Sequence, residues 1–171
     1  MRCMPSVLQM RKRLLARPEL PDVAGVRIRS FAGPHDIEGW LALRQRAFAR
    51  ARLGVREWTA AEFRHELSER WWWTPERLWF AEPIDPAGRS PLGAIACARR
   101  GTPTEPGSPA VHWLMVDPGA RRHGIGGLLL TVLERHCWDA GDREVCLETH
   151  AAWTAAVALY RATGYEDVMA V

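Results

Sequence analysis

The sequence holds no asparagine, and Lys12 is its single lysine among 23 basic residues. This bias follows source-genome composition and carries little functional weight. The shortage of lysine does exclude one phosphate loop, because the G-x-x-x-x-G-K-[ST] pattern needs a lysine after its second glycine. No apolar run approaches the roughly 18 residues of a membrane span, so no membrane partner is expected. A continuous apolar segment of the kind a secretory signal needs is also missing. The four cysteines, Cys3, Cys97, Cys137 and Cys146, form no C-x-x-C pair and no zinc-type spacing with histidine. Buried free thiols in a reducing cytoplasm are expected, with no metal site. Net charge is only +3, and the arginines are interleaved with acids. A nucleic-acid partner would need a contiguous basic stripe with stacking aromatics, so none is expected.

What is present suits one folded domain with a sizeable core: 171 residues, 47% of them hydrophobic. Residues 1–24 are basic and read as an N-terminal extension, helical over Ser6–Ala16 and closed by Pro18 and Pro21. An Arg-rich, acid-poor mitochondrial presequence is the other reading of the same stretch. Residues 25–171 read as the domain.

Val26–Arg29 alternates as an edge strand does. A helix opens at Pro34-His35-Asp36 and runs to about Arg52, with Ile37, Trp40, Leu41, Leu43, Ala47 and Phe48 as its stripe. Thr59 with Glu62 forms a capping-box pattern, which predicts a second helix over Ala60–Arg70. Strands follow at Leu78–Ala81, Leu92–Ala98 and Val111–Val116, divided by turns at 83–91 and 101–109. Ile125–Ala140 is helical with Gly141 as its stop. Val145–Thr149 is a strand, Thr154–Ala162 a helix stopped by Gly164, and Glu166–Val171 one last short strand. The order β-α-α-β-β-β-α-β-α-β implies an α/β fold, a single mixed sheet flanked by helices.

The sharpest local signal is Arg121-Arg122-His123-Gly124-Ile125-Gly126-Gly127, set between a strand with its Pro turn and an amphipathic helix. Glycines allow a tight turn and close approach of a ligand. The unpaired N–H groups of the helix, with its dipole, favour an anion, and the arginines add charge. The dinucleotide fingerprint G-x-G-x-x-G fits worse, since Leu129 stands at its third glycine.

Val116-Asp117-Pro118 followed by Arg121-x-x-Gly124-x-Gly126 resembles motif A of the GCN5-related N-acetyltransferase (GNAT) superfamily. Further on, Ala158-Leu159-Tyr160-Arg161-Ala162-Thr163-Gly164-Tyr165 resembles the second motif of that family. The resemblance spans about 111–165 by motif, and 26–100 by element order alone. It implies acetyl-CoA as cosubstrate and an amine as acceptor, a peptide or protein amine or a small molecule. Leu114, Met115 and Val116 match the splayed strand along the pantetheine arm. Arg121, Arg122, His123, Gly124, Ile125, Gly126 and Gly127 match the pyrophosphate loop. Tyr160 falls where the family places a tyrosine beside the sulfur. Glu148 falls where several N-terminal acetyltransferases keep a carboxylate base, with His150 a rival. A nucleophilic role for Cys146 is not required.

The chain departs from the family pattern twice. Trp153 stands where many members have an asparagine on the cofactor. Only six residues follow Tyr165, where a two-strand hairpin is usual, so the final strand of the fold reads as missing. Either Glu166–Val171 pairs directly with the Glu148 strand, or a second copy of the chain covers the gap, as a homodimer. A non-catalytic acyl-CoA-binding or regulatory module is the alternative to an active enzyme; it would bind CoA yet be indifferent to changes at Tyr160 and Glu148. The aromatic region at Trp40, Trp58 and Trp71–Trp73 is expected to shape the acceptor cleft, with at least one of the three consecutive tryptophans lining it or stacking on arginine. Glu62, Glu66 and Glu69 could attract a cationic amine or simply form a solvated face.

Overall fold

A computed structural model describes residues 7–49, 56–85 and 90–168 of the chain. Seven strands form one sheet: β1 (Val7–Arg13), β2 (Val26–Ser30), β3 (Leu78–Pro83), β4 (Gly93–Arg99), β5 (Pro109–Val116), β6 (Glu144–His150) and β7 (Glu166–Asp167). Four helices accompany them: α1 (Asp36–Phe48), α2 (Ala60–Phe63), α3 (Ile125–Asp139) and α4 (Thr154–Ala162). The spatial order is β2-β3-β4-β5-β6-β1-β7. Every neighbouring pair is antiparallel except β5 and β6, which run parallel.

The sheet is buried on both faces. Met10, Ile95, Cys97, Val145 and Leu147 pack with Leu129, Leu133 and Tyr160 on the α3–α4 side. Phe80, Ala94, Ala96 and Met115 pack with Trp40, Leu43, Phe63 and Leu67 on the α1–α2 side. Period-2 alternation along each strand sends successive residues to opposite faces, which places Leu147 on the α3 side and Glu148 on the α1 side.

The helices start and stop where local chemistry directs. Asp36 accepts the Ala32 N–H at 2.7 Å and is bound by both Arg29 Nη atoms at 2.8 Å, tying the start of α1 to β2. Thr59 and Glu62 complete the expected capping box. α2 is shorter than expected, because Arg64–Ser68 continues it as a π-helical turn. α1 reaches Phe48; the expected continuation to Arg52 runs into 50–55, outside the described residues. Gly141 and Gly164 take φ of 92° and 94° beyond α3 and α4, as stop glycines do.

The N-terminal segment corrects the reading of the sequence. It is a strand where a helix over Ser6–Ala16 was expected. Leu8, Met10 and Lys12 point to the α3 side, alternating with Gln9, Arg11 and Arg13; Met10 is fully buried. β1 pairs with β6 along its whole length, from Val7 opposite His150 to Arg13 opposite Glu144. It therefore fills the place beside β6 that was expected to be open. The short β7 pairs with β1, at Met10 and Arg11, and not with the Glu148 strand. Residues 169–171 of that expected strand, like Cys3 and Ser6, lie outside the described residues.

Lys12 is the inward-facing charge of β1. Its Nζ donates to Glu134 Oε2 of α3 at 2.8 Å, and the Glu134 side chain is 4% exposed. Burial raises the Glu134 carboxyl above its usual range, and the Lys12 bond offsets part of that rise.

Candidate active site

β5 and β6 begin side by side and then part. Ala110 opposite Cys146 is their one registered pair. Beyond it, Met115 and Val116 have partners on β4 only, Leu114 falls in a break of the β4 register, and the β6-facing edge of β5 lies open among the described residues. The split follows from a bulge: the β4–β5 register shifts between Ala94 and Ala96, and Trp113 takes φ of 50°. A bulge adds one unpaired residue and bends its strand. Of the three strand residues expected here, Leu114 and Val116 are partly exposed, while the Met115 side chain is buried against the α1–α2 core.

The glycine-rich loop meets the start of α3 at the mouth of this notch. Gly124 caps α3 with φ of 83° and offers no side chain to the first helical N–H groups. Arg122 also takes a positive φ, 64°. A β-carbon on Gly127 would meet nothing within 4 Å, so the space beside it is open. Uncapped N–H groups, an open flank and exposed Arg122 suit an anionic group. His123 is exposed, and its Nδ1 lies 2.8 Å from the Arg121 carbonyl. Ile125 is buried in the core, and Gly126 sits where α3 meets Leu159 of α4. Arg121 turns away from the loop: its Nη2 donates to the Ala47 carbonyl at 2.8 Å, bracing α1.

Glu148 and Tyr160 face opposite sides of β6. Glu148 is exposed on the α1 side; Tyr160 is buried on the α3 side, 5.9 Å from the Tyr165 ring. Burial pushes the Tyr160 phenol up to about 12. His150 accepts the Ala152 N–H at Nδ1, 3.1 Å away. Taking a proton at that nitrogen would break this bond. The Cys146 thiol donates to the Pro109 carbonyl at 3.3 Å, and burial raises its ionisation above the ordinary value. Nothing activates it as a nucleophile.

Two features were missed in the sequence. Gln9 of β1 lies directly opposite Glu148, and its Nε2 donates to Glu148 Oε2. Arg100 Nη1 in turn donates to Gln9 Oε1 at 2.9 Å. Alternation in β1 was the available signal. The second feature is Arg44, 4% exposed, whose guanidinium stacks on Trp58 at 4.0 Å and Trp113 at 5.0 Å. Its Nη1 donates to the Arg56 carbonyl at 2.8 Å, and no carboxylate pairs with it among the described residues. Around the acceptor-side aromatics, stacking on arginine is made by Trp58 and Trp113; Trp138 stacks on Arg143 elsewhere in the fold. Of the three consecutive tryptophans, Trp72 is core, Trp73 packs edge-on to Phe31 and Trp71 is 41% exposed. Trp153 packs against Phe48, with ring centroids 5.5 Å apart. Glu62 and Glu66 are engaged by Arg56 and Arg70, so two of the three acids of this row are paired on the surface.

A surface cavity of about 560 Å³ lies at the far end of β1 and β6, lined by Arg11, Arg13, Asp142 and Glu144 among others. Its lining includes none of Leu114–Val116, Arg121–Gly127, Glu148 and Tyr160. The notch is a cleft between strands rather than an enclosed chamber. Among the described residues no His/Cys/Asp/Glu group is arranged to hold a metal, and no helix is long and apolar enough to cross a membrane.

Comparison with known proteins gives the same outline. Residues 41–165 match the sequence profile of the family described as "Acetyltransferase (GNAT) family". The chain is 35% identical to a mycothiol acetyltransferase of Salinispora arenicola over 92% of its own length and 50% of that protein. It is 33% identical to the mycothiol acetyltransferase of Thermobispora bispora, over 88% and 49%. The chain thus spans about half the length of these curated relatives. Among solved structures, a GCN5-related N-acetyltransferase from Sphaerobacter thermophilus superposes with a TM-score of 0.75 at 22% identity, covering 95% of this chain and 48% of that one. The NatC complex bound to Gag peptide and CoA gives 0.63 at 18% identity, covering 84% and 86%. At these identities the structural likeness speaks for the fold.

Proposed function

Because the chain belongs to the GNAT acetyltransferase family, we propose that it transfers an acetyl group from acetyl-CoA to a primary amine by direct attack. The observation that carries this reading is the split between β5 and β6, which opens onto the uncapped start of α3. One end of that path offers N–H groups and Arg122 for a pyrophosphate; Arg121 serves there by bracing the loop. The other end offers strand edges at Leu114, Met115 and Val116 for an extended amide-bearing arm.

The reaction needs two proton movements. A primary amine is protonated near neutral pH and must lose a proton before it attacks the thioester carbon. Glu148 is exposed and accepts that proton directly or through one water. The free N–H groups of β5 polarise the thioester oxygen as negative charge develops there. The C–S bond then breaks, and the leaving thiolate takes a proton from the Tyr160 hydroxyl. The raised Tyr160 value, about 12, keeps this proton in place throughout the neutral range. Tyr160 ionisation therefore produces no falling limb in kcat below about pH 10. Trp113, Trp153 and Phe48 form the acceptor-side wall around this point. The relatives are mycothiol acetyltransferases, which puts unacetylated mycothiol first among acceptors to test.

The test is thiol release from acetyl-CoA against a panel of amines that includes unacetylated mycothiol, amino sugars and short peptides. Glu148→Gln and Tyr160→Phe each lower kcat by about 100-fold and leave the dissociation constant of acetyl-CoA unchanged. Binding of acetyl-CoA without turnover on any amine, in a protein indifferent to both substitutions, would instead establish a non-catalytic acyl-CoA module, the reading that the exchange of asparagine for Trp153 favours.

A further inference from the structure

We propose that Gln9 is the positioning residue of the Glu148 base, so that the N-terminal strand completes the acceptor side of the active site. This rests on Glu148 serving as the base, as proposed above.

Three contacts make a chain that ends at the carboxylate. Arg100 Nη1 donates to Gln9 Oε1 at 2.9 Å, Gln9 Nε2 donates to Glu148 Oε2, and Gln9 and Glu148 are directly opposed across the β1–β6 ladder. The sense of the amide follows from the arginine. A guanidinium only donates, so the amide oxygen must face Arg100, and the NH₂ group must face Glu148. A glutamine in the other sense would turn its oxygen to the carboxylate and repel it. Arg100 therefore fixes the direction of the whole chain.

Arg100 is itself held by its backbone. Its N–H donates to the Ser108 carbonyl at 3.0 Å across the β4–β5 hairpin. The hairpin is so tight that a β-carbon on Gly107 would come within 1.5 Å of the Arg100 carbonyl oxygen. The relay thus starts at the end of β4, crosses β1 and ends on β6.

Glu148 needs such support because it is exposed. A free glutamate on a strand samples several rotamers, and a general base works only within hydrogen-bond reach of the proton it takes. Gln9 occupies Oε2 and leaves Oε1 without a hydrogen bond among the described residues. One oxygen is anchored, and the other is presented to the acceptor amine.

The test is a double-substitution cycle on the full chain: Gln9→Met, Glu148→Gln and both together, with kcat, both KM values and Tm measured for each. Methionine keeps the length of the side chain and the strand, and removes only the hydrogen bonds. The expected result is a kcat lowered about 5-fold by Gln9→Met, with the KM of acetyl-CoA and the Tm unchanged. In the Glu148→Gln background the same substitution has no further effect. Arg100→Met, which frees the amide to flip, lowers kcat in the same direction. A Gln9→Met protein with unchanged kcat, or one that loses the same factor with and without Glu148, overturns the positioning role while the base survives. If Glu148→Gln itself leaves kcat unchanged, the base assignment fails, and the role of Gln9 falls with it.

Discussion

At Gly93, beneath the start of α3, a side chain has no room. A β-carbon there would lie 2.9 Å from both the Met115 carbonyl oxygen and Leu129 Cδ1, and 3.1 Å from Ile125. The carbonyl belongs to the backbone of β5 and cannot swing aside. Gly93→Ala should therefore force β5 and α3 apart at the notch and destabilise the fold by about 1–3 kcal/mol. Gly127 is the contrast, because its β-carbon would meet open space. Gly127→Ala should leave stability unchanged or raise it by up to about 1 kcal/mol, since alanine is the better helix former. Urea unfolding of the two proteins checks both; equal losses would contradict this account of the loop. At this scale the sequence showed the glycine-rich loop, where Arg122 and Gly124 both take a positive φ at the start of α3. It did not show which side chains would partner which. That Arg121 braces Ala47, that Gln9 holds Glu148 and that Arg44 lies buried between tryptophans are tertiary facts, set by strands and helices far apart in the chain.

β1 is the element that composition concealed. Its arginines and lysine give it the look of a charged extension, although Leu8, Gln9, Met10 and Arg11 alternate as a strand does. Lys12 explains part of the disguise, since a charged residue sits at an inward position. It is tolerated there because Glu134 meets it from α3 at 2.8 Å. Lys12→Met leaves that carboxylate buried and unpaired, at a cost of about 3–5 kcal/mol at pH 7. The pH dependence has a definite sign. Burial raises Glu134 in the folded state above its ordinary 4.5. The stability it contributes is therefore complete below about pH 4.5 and declines as pH rises through the folded-state value. The penalty of Lys12→Met should shrink on acidification from pH 7 to pH 5, and Glu134→Gln added to Lys12→Met should restore most of the loss. Urea unfolding at the two pH values checks this. A penalty equal at both would show that the ion pair is not what admits Lys12 to the sheet. The other elements were easier to read. Capping at Thr59 and Glu62, and stops at Gly141 and Gly164, are local signals that need no knowledge of the fold.

On the scale of the molecule, the sheet is completed from within the chain. β1 takes the position beside β6, and β7 merely borders it. This arrangement puts both faces of β6 to use: Leu147 and Val145 close the α3-side core, while Glu148 and His150 face the α1 side where Phe48, Trp113 and Trp153 gather. Charge is spread thinly over the surface, so the loop at Arg122 and the helix start behind it supply the local positive potential by which a polyanion would be drawn in. The order of strands and helices from β2 to α4 was legible because periodicity and turn residues are local. The place of β1 was not, because pairing across more than 130 residues of sequence leaves no mark on either strand alone.

The measurement that bears most directly on this account is calorimetric titration of the protein with acetyl-CoA, beside an Arg122→Glu, Gly127→Glu double variant. Gly127 has open space for a side chain, Arg122 is exposed, and a carboxylate in the first turn of α3 favours the helix, so the variant should keep its Tm. The account predicts a dissociation constant in about the micromolar range for the wild type and loss of measurable binding in the variant. Equal affinity in the two proteins, or no binding by a well-folded wild type, would contradict the assignment of the loop and notch as the acetyl-CoA site.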